Sequence, residues 1–307
     1  MKEKLFFIGL LFLSKLTINV SAFEYPLPYI NEHLIGENSY YVVPNDRRPL
    51  EAIASEFQIG LLSILETNLA IDPYLPKSGM TLIIPSQMLL PRTKRDGIII
   101  NLAELRLYFF PKKKNKVIVY PIGIGQLGSN TPTMVTTITQ LIKNPTWTPT
   151  KNIRKRYAED GVILPAVFPS GPDNPMGLYA LRLSYDNGQY LIHGTNANFG
   201  IGLRITSGCI RLRQENIEEL FYSVVVGTRV KIINEPIKYS KEPDGSYYIE
   251  VHQPLSKREY DDPQTMPLIY SNEFKVFLKQ SSIDQKLVSQ AVTRRSGIPI
   301  KINKIIN

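Results

Sequence analysis

Between Gly97 and Ile142 the chain breaks into short runs of β-branched and aromatic residues: Gly97 to Leu102, Leu105 to Phe110, Val117 to Ile124 and Met134 to Ile142. Pro, Gly, Asn or Lys turns separate them. Such runs read as strands, because branched and aromatic side chains suit a pleated, half-buried surface. Many short strands with few helices point to a sandwich or barrel-like architecture, so the expected fold is mainly β, with its central domain over residues 97–234. No internal disulfide can hold it, since Cys209 is the only cysteine of 307 residues, and stability must come from the apolar core.

That cysteine falls in the most informative stretch, Tyr190 to Leu212. Leu178 to Ser184 and Gln189 to His193 read as strands around Asn187-Gly188, a hairpin signal, which places His193 at a strand end. A cysteine nucleophile reacts as the thiolate, and a free thiol with a pKa near ~8.5 is mostly protonated at neutral pH unless a cation or imidazole stabilises the anion. His193 can be that imidazole. A lone cysteine is ordinarily a small buried hydrophobe, so catalysis is argued from the setting. Gly208 lets the backbone approach a ligand, and Arg204, Arg211 and Arg213 are expected to lower the thiol pKa and attract carboxylates. His33 and His252 lie away from this stretch, near no cysteine or carboxylate cluster in sequence, and read as structural or surface histidines rather than metal ligands.

His193-Gly194-Thr195 followed by Thr206-Ser207-Gly208-Cys209-Ile210-Arg211 resembles the active-site signature of the L,D-transpeptidases of the YkuD family, with Ser207 where the family carries its second histidine. The resemblance implies a YkuD-type β-sandwich in which Cys209 is the nucleophile and His193 its acid and base. It further implies a Gly194 carbonyl that orients His193, oxyanion donors around Gly208, and substrate contacts from Arg211, Arg204, Thr206 and Ser207. Neither cofactor nor metal is implied. Substrates would be peptidoglycan stem peptides. The stretch Ile122 to Thr137 and the loop Pro172-Asp-Asn-Pro-Met-Gly177 look most like the enterobacterial periplasmic type, which implies as acceptor a diaminopimelate amine or the C-terminal lysine of an outer-membrane lipoprotein. Water as acceptor would make a carboxypeptidase. A catalytically decayed wall-binding protein is the reading outside catalysis, and Ser207 is the feature in its favour. A papain-like hydrolase is disfavoured because cysteine precedes histidine there, the reverse of the order here.

Residues 1–22 read as a secretory signal peptide: Lys2 and Lys4, then the apolar run Leu5 to Leu13, then Val20-Ser21-Ala22. The apolar run is too short for a bilayer, which needs about 20 residues, so no stable membrane span is expected and the protein should work in the periplasm. A formal charge of +9 suits an anionic polymer, and export favours cell wall over nucleic acid. Residues 40–86 read as strand, helix, helix, strand, with Ile53, Ala54, Phe57 and Leu65 at helical spacing. They resemble a LysM module, which implies binding of glycan strands. The Gly123 to Gly128 spacing looks like a dinucleotide loop, but no helix pattern follows to receive a phosphate. Ser86 to Asp96 reads as a linker with a solvated basic cluster at Arg92, Lys94 and Arg95. The proline-rich segment from Trp147 to Gly177, with a short helix near Lys151 to Tyr157, is expected to gate the substrate site. Residues 235–307 form a small α+β extension, with a hairpin at Asp244-Gly245 and a helix starting at Ser282.

Overall fold

The computed structural model describes residues 23–197 and 199–305; the expected signal peptide, residues 1–22, lies outside them. The first described residues include β1 (Phe23–Pro26) and β2 (Leu34–Ile35). A compact unit follows: β3 (Ser39–Val42), α1 (Leu50–Glu56), α2 (Leu61–Thr67) and β4 (Thr81–Ile84), with β3 antiparallel to β4. The apolar residues at helical spacing, Leu50, Ile53, Ala54 and Ile64, close over Val43, Leu82 and Ile84 as one small core. Asn68 ties the end of α2 to β4, its side chain both donating to Ile83 O and accepting from Ile83 N.

The expected linker is not a free connection. Its β5 (Met88–Leu89) pairs with β2, and Met88, Leu89 and Leu90 are buried. Arg95, expected to be solvated, instead donates to the carbonyls of Pro28 and Tyr29, and Arg92 stacks over Tyr239. Main-chain carbonyls that would otherwise lack partners explain why Arg95 turns inward, while Arg92 stays exposed.

The central domain contains β6 (Gly97–Asn101), β7 (Arg106–Phe110), β8 (Lys116–Pro121), β9 (Ile124–Gly125), β10 (Met134–Lys143), α3 (Lys151–Glu159), β11 (Tyr179–Leu183), β12 (Leu191–His193), β13 (Arg204–Thr206), β14 (Ile210–Arg211), α4 (Gln214–Ser223) and β15 (Arg229–Ile233). One nine-stranded curled sheet runs β1-β8-β7-β6-β15-β10-β11-β12-β14, and β9 pairs with β13 beside it. The mainly β expectation holds, and the two layers of the expected sandwich are halves of one sheet. Strand β10 explains the folding over. Met134 to Thr137 pair with β15, Ile138 to Lys143 pair with β11, and the register shifts between Ile138 and Gln140. Such a bulge bends a strand and increases its twist, so the halves face each other across Ile98, Ile100, Leu107 and Phe109 on one side and Leu181, Leu183, Ile192 and Ile210 on the other. Helix α4 adds Ile217 and Leu220 to this core. The hairpin of β11 and β12 forms, but around a longer connection than Asn187-Gly188, in which Asp186 and Asn187 both take positive φ.

The remainder is β16 (Ile237–Lys241), β17 (Tyr247–Val251), α5 (Asn272–Phe277), α6 (Gln285–Arg294) and β18 (Ile300–Lys301), with the three strands in one sheet. The last helix starts later than the Ser282 signal suggests. Asp284 is its cap, accepting from Lys286 N at 2.8 Å and Leu287 N at 3.3 Å, while Ile283 bridges to Asn303. A carboxylate is at least as good an N-cap as a hydroxyl, and the strand bridge takes Ser282 and Ile283 out of the helix. Among the described residues no helix is long and apolar enough to cross a membrane.

Candidate active site

Strands β12 and β14 run parallel, with Ile192 opposite Ile210 and His193 opposite Arg211. Alternation along a strand then sorts the side chains. Ile192 and Ile210 enter the core, while His193, Arg211 and Cys209 belong to the other set. Cys209 immediately precedes β14, in the bend after Gly208, and its Sγ lies 3.9 Å from Gln189 O just before β12. The pairing of β12 with β14 brings the segment that carries Cys209 alongside the strand of His193 although a long loop separates them in sequence.

His193 is buried, and its Nδ1 lies 2.7 Å from the Gly194 carbonyl oxygen. A carbonyl can only accept, so Nδ1 carries the hydrogen and Nε2 is left as the base. The Met176 carbonyl supports the ring further. Burial first, then the Arg211 charge, lowers the His193 pKa to about 4. Burial likewise raises the Cys209 thiol above its ordinary value, with Sγ 3.9 Å from Gln189 O. This corrects the expectation that nearby arginines would hold a thiolate. With the imidazole and the thiol both disfavoured as ions by desolvation, the resting pair is neutral, and ionisation belongs to the moment of attack.

The remaining expected residues divide. Thr206 is a brace rather than a substrate contact: its hydroxyl donates to Cys209 O at 2.6 Å and accepts from Gly208 N at 3.2 Å. That commits the Gly208 N–H, expected to be an oxyanion donor, to the Thr206 hydroxyl. Ser207 Oγ accepts from Arg156 Nη2, 3.4 Å away on α3. Arg204 donates Nη1 to Ser256 O of the C-terminal extension at 3.0 Å and Nη2 to Asn130 Oδ1 at 2.9 Å, so both terminal nitrogens are engaged while its buried Nε has no partner among the described residues. Arg211 is different. Burial lowers its pKa with Tyr157 acting in the opposite sense, its buried Nε like that of Arg204 has no partner, and no side-chain hydrogen bond or ion pair among the described residues engages its terminal nitrogens. An unpaired, partly desolvated guanidinium is a site for a carboxylate.

Two contributors escaped sequence reasoning. Thr131 is buried and donates to Gly208 O at 2.8 Å while accepting from Gly125 N at 2.9 Å, pinning the cysteine turn to the glycine-rich segment. Asn174 is fully buried; its amide donates to Pro145 O and Pro169 O, and its oxygen accepts from Met176 N, so it shapes the loop whose carbonyl meets His193. Both lie inside stretches singled out by resemblance, but spacing alone does not mark them. Arg213, expected to act on the thiol, is instead fully buried and donates to Ile59 O at 2.9 Å.

The proline-rich segment closes on itself at its base. Trp147 and Phe168 exchange backbone hydrogen bonds of 3.0 and 2.7 Å, and their rings lie 5.1 Å apart. Above that pinch stands α3, capped by Thr150 and with no buried residue.

His252 corrects the reading of an isolated histidine. It is fully buried, with Nε2 2.8 Å from Glu250 and Nδ1 3.0 Å from Glu66. Glu104, Glu250 and His252 have atoms close enough for a shared cation. Lys238 Nζ occupies that role, 2.7 Å from Glu104 and 3.0 Å from Glu250, with Arg106 3.1 Å from Glu250. Two side-chain cations already neutralise these carboxylates, so the donor set does not suit a metal.

Residues 95–232 match the L,D-transpeptidase catalytic domain and residues 236–302 the L,D-transpeptidase C-terminal domain. The probable L,D-transpeptidase YcfS of Escherichia coli (strain K12) is 51% identical, over 94% of this chain and 91% of its own length. YbiS of the same strain is 50% identical over 92% and 93%, and ErfK/SrfK 48% over 96% and 94%.

Proposed function

Because the chain belongs to the L,D-transpeptidase family, we propose that it severs the bond between diaminopimelate and the terminal D-alanine of a peptidoglycan tetrapeptide, through a thioester on Cys209. The observation that supports this reading is the ladder pairing of His193 with Arg211, with the imidazole oriented by the Gly194 carbonyl and the Cys209 segment leading into the same strand. Cys209 Sγ attacks the carbonyl carbon while its proton passes to His193 Nε2. The oxyanion meets the Cys209 N–H. Collapse breaks the C–N bond, His193 gives its proton to the leaving amine, and D-alanine departs. Arg211 holds a substrate carboxylate through these steps. An acceptor amine then attacks the thioester, loses a proton to His193, and the proton returns to Sγ as the new amide forms.

The acceptor we propose is the C-terminal lysine of an outer-membrane lipoprotein, in the periplasm after removal of residues 1–22. The βααβ unit, similar to a LysM module, would bring the enzyme onto glycan strands, and α3 with its basic residues Lys151, Arg154, Lys155 and Arg156 would cover the bound stem. The test is the intact mass of the secreted form mixed with purified tetrapeptide muropeptide, beside Cys209→Ala. A gain equal to the muropeptide minus D-alanine, absent in the variant, supports the acyl-enzyme. Adding a lysine-terminated peptide, a diaminopimelate stem or neither then shows which of transfer to lysine, cross-linking or hydrolysis clears the adduct. No adduct and no free D-alanine would leave a wall-binding protein.

A further inference from the structure

Cys209, Arg211 and Arg213 are alternate residues of one extended run. The first two face the chemistry. Arg213 reaches the βααβ unit instead, donating Nη2 to Ile59 O. Beside it Asn216 donates to Gln58 Oε1 at 2.9 Å.

A second set of contacts joins the same unit to the loop between His193 and Cys209. The first-turn amides of α2 donate to that loop, Leu61 N to Ile201 O at 3.3 Å and Leu62 N to Gly202 O at 3.2 Å. Amides at a helix start have no partner within the helix, so a neighbour must satisfy them. The backbones meet without side chains. A Cβ on Gly60 would lie 2.8 Å from Gly202 Cα, and Gly202, at φ +83°, would place a Cβ 2.3 Å from Leu61 N. Gly202 N in turn donates to Ile122 O at 3.0 Å, and the adjacent Gly123 exchanges two 2.8 Å hydrogen bonds with Arg211. A continuous path of main-chain bonds therefore runs from α2 to the backbone of Arg211.

We propose that the βααβ unit is a wall of the active site, and that Gly60, Gly202 and Arg213 are positioning residues which fix Arg211, and with it the substrate carboxylate, relative to Cys209. This rests on the reading of Arg211 as the carboxylate clamp. Catalytic geometry is sensitive to such support, a displacement of about 1 Å costing up to ~100-fold.

The experiment compares Gly60→Ala, Arg213→Lys and Leu82→Ala in the full chain, measuring kcat and KM for D-alanine release, the pH profile of Cys209 alkylation, and Tm. Leu82 lies in the core of the same unit away from the seam, so its variant reports general destabilisation. Gly60→Ala and Arg213→Lys are expected to raise KM by roughly 10-fold with the alkylation profile unchanged, whereas Leu82→Ala lowers Tm without moving KM. In an Arg211→Met background Gly60→Ala should add no further loss, since its effect passes through Arg211. Normal KM in both folded seam variants, or full additivity with Arg211→Met, would overturn the proposal. So would failure of both seam variants to fold while Leu82→Ala folds, which would assign the seam to stability alone. If Arg211→Met itself leaves kcat/KM intact, the clamp reading falls first and takes this one with it; if Arg211→Met is impaired and the seam variants are not, only the seam proposal falls.

Discussion

His193 and His252 are both buried, yet their surroundings drive them to opposite ends of the titration range. Around His252 every charge has a partner. Glu66, Glu104 and Glu250 face Arg106, Lys238 and His252 across contacts of 2.7–3.2 Å, all of them buried. Burial alone would lower the His252 pKa, but hydrogen bonds to Glu250 and Glu66 overcome it and raise the value to about 9. Around His193 no carboxylate compensates among the described residues, and burial with the Arg211 charge takes the pKa to about 4. The difference separates two uses of buried ions. A closed set of pairs ties the βααβ unit, the central domain and the C-terminal extension together at one point. A set left open by one carboxylate is a place for substrate.

The largest expected effect is on the open set. His193→Gln removes the proton carrier and should lower kcat by roughly 10²- to 10⁴-fold, with little change in Tm because no ion pair is broken. Single-turnover release of D-alanine measures it. At the closed set the outcomes exchange. His252→Leu strands Glu66 and Glu250 without their shared donor, at a cost of about 3–5 kcal/mol in unfolding free energy, while kcat/KM of the folded protein stays unchanged. Retained stability there would mean that the cluster is not the joint it looks like. The pH dependence follows in sign. His252 is raised from 6.5 to about 9, so its contribution is complete below pH 6.5 and lost as pH rises through 9. Glu250 is opposed by burial but lowered to about 2 by Lys238 and His252, so its contribution is complete above pH 4.5 and lost only as pH falls toward 2. Denaturant melts across pH 3 to 10 should therefore be flat between about 4.5 and 6.5 where these two groups are concerned.

Much of the open set was legible in the sequence, and almost none of the closed one. His193, Gly194 and Cys209 form a local signature, and alternation places them once the strands are paired. What the signature cannot carry is the dielectric setting. Arg211 looked like a cation that would ionise Cys209, yet burial reverses the sign for the thiol and adds to the lowering at His193. Arg204 looked equivalent to Arg211 and is spent on Ser256 and Asn130 instead. The ion cluster draws on residues 66, 104, 106, 238, 250 and 252, each an ordinary surface type in its own neighbourhood, and only the docking of three units brings them together. Strand β1 was missed for the same reason, since it exists only by pairing with β8.

A smaller effect is expected at Arg211, and it sharpens the comparison by its pH signature. Arg211→Met should lower kcat/KM by roughly 10- to 100-fold, the worth of a charge-assisted hydrogen bond of about 1.5–3 kcal/mol. It also removes a charge that depresses His193. In the native enzyme the acid limb of kcat/KM should lie near pH 4, because activity needs neutral His193 and is lost as pH falls through that pKa. In the variant the limb should move upward, though not to 6.5, since burial, the larger cause, remains. An unmoved limb would mean that Arg211 does not act on His193 at all.

The smallest effect is expected at Ser207, where the family carries a histidine. Its hydroxyl is exposed and meets Arg156 of α3 rather than Cys209 or His193. One such hydrogen bond contributes about 0.5–1.5 kcal/mol at most, so Ser207→Ala should change kcat/KM by no more than about 10-fold, and through KM if α3 covers the stem. Ser207→His asks the harder question. A solvated imidazole there would titrate near ~6.5, so participation in catalysis would add a second limb at that pH to the profile set by His193. A profile that keeps its single limb near 4 would show that position 207 serves the covering helix and that the buried, carbonyl-tethered imidazole of His193 carries the proton alone.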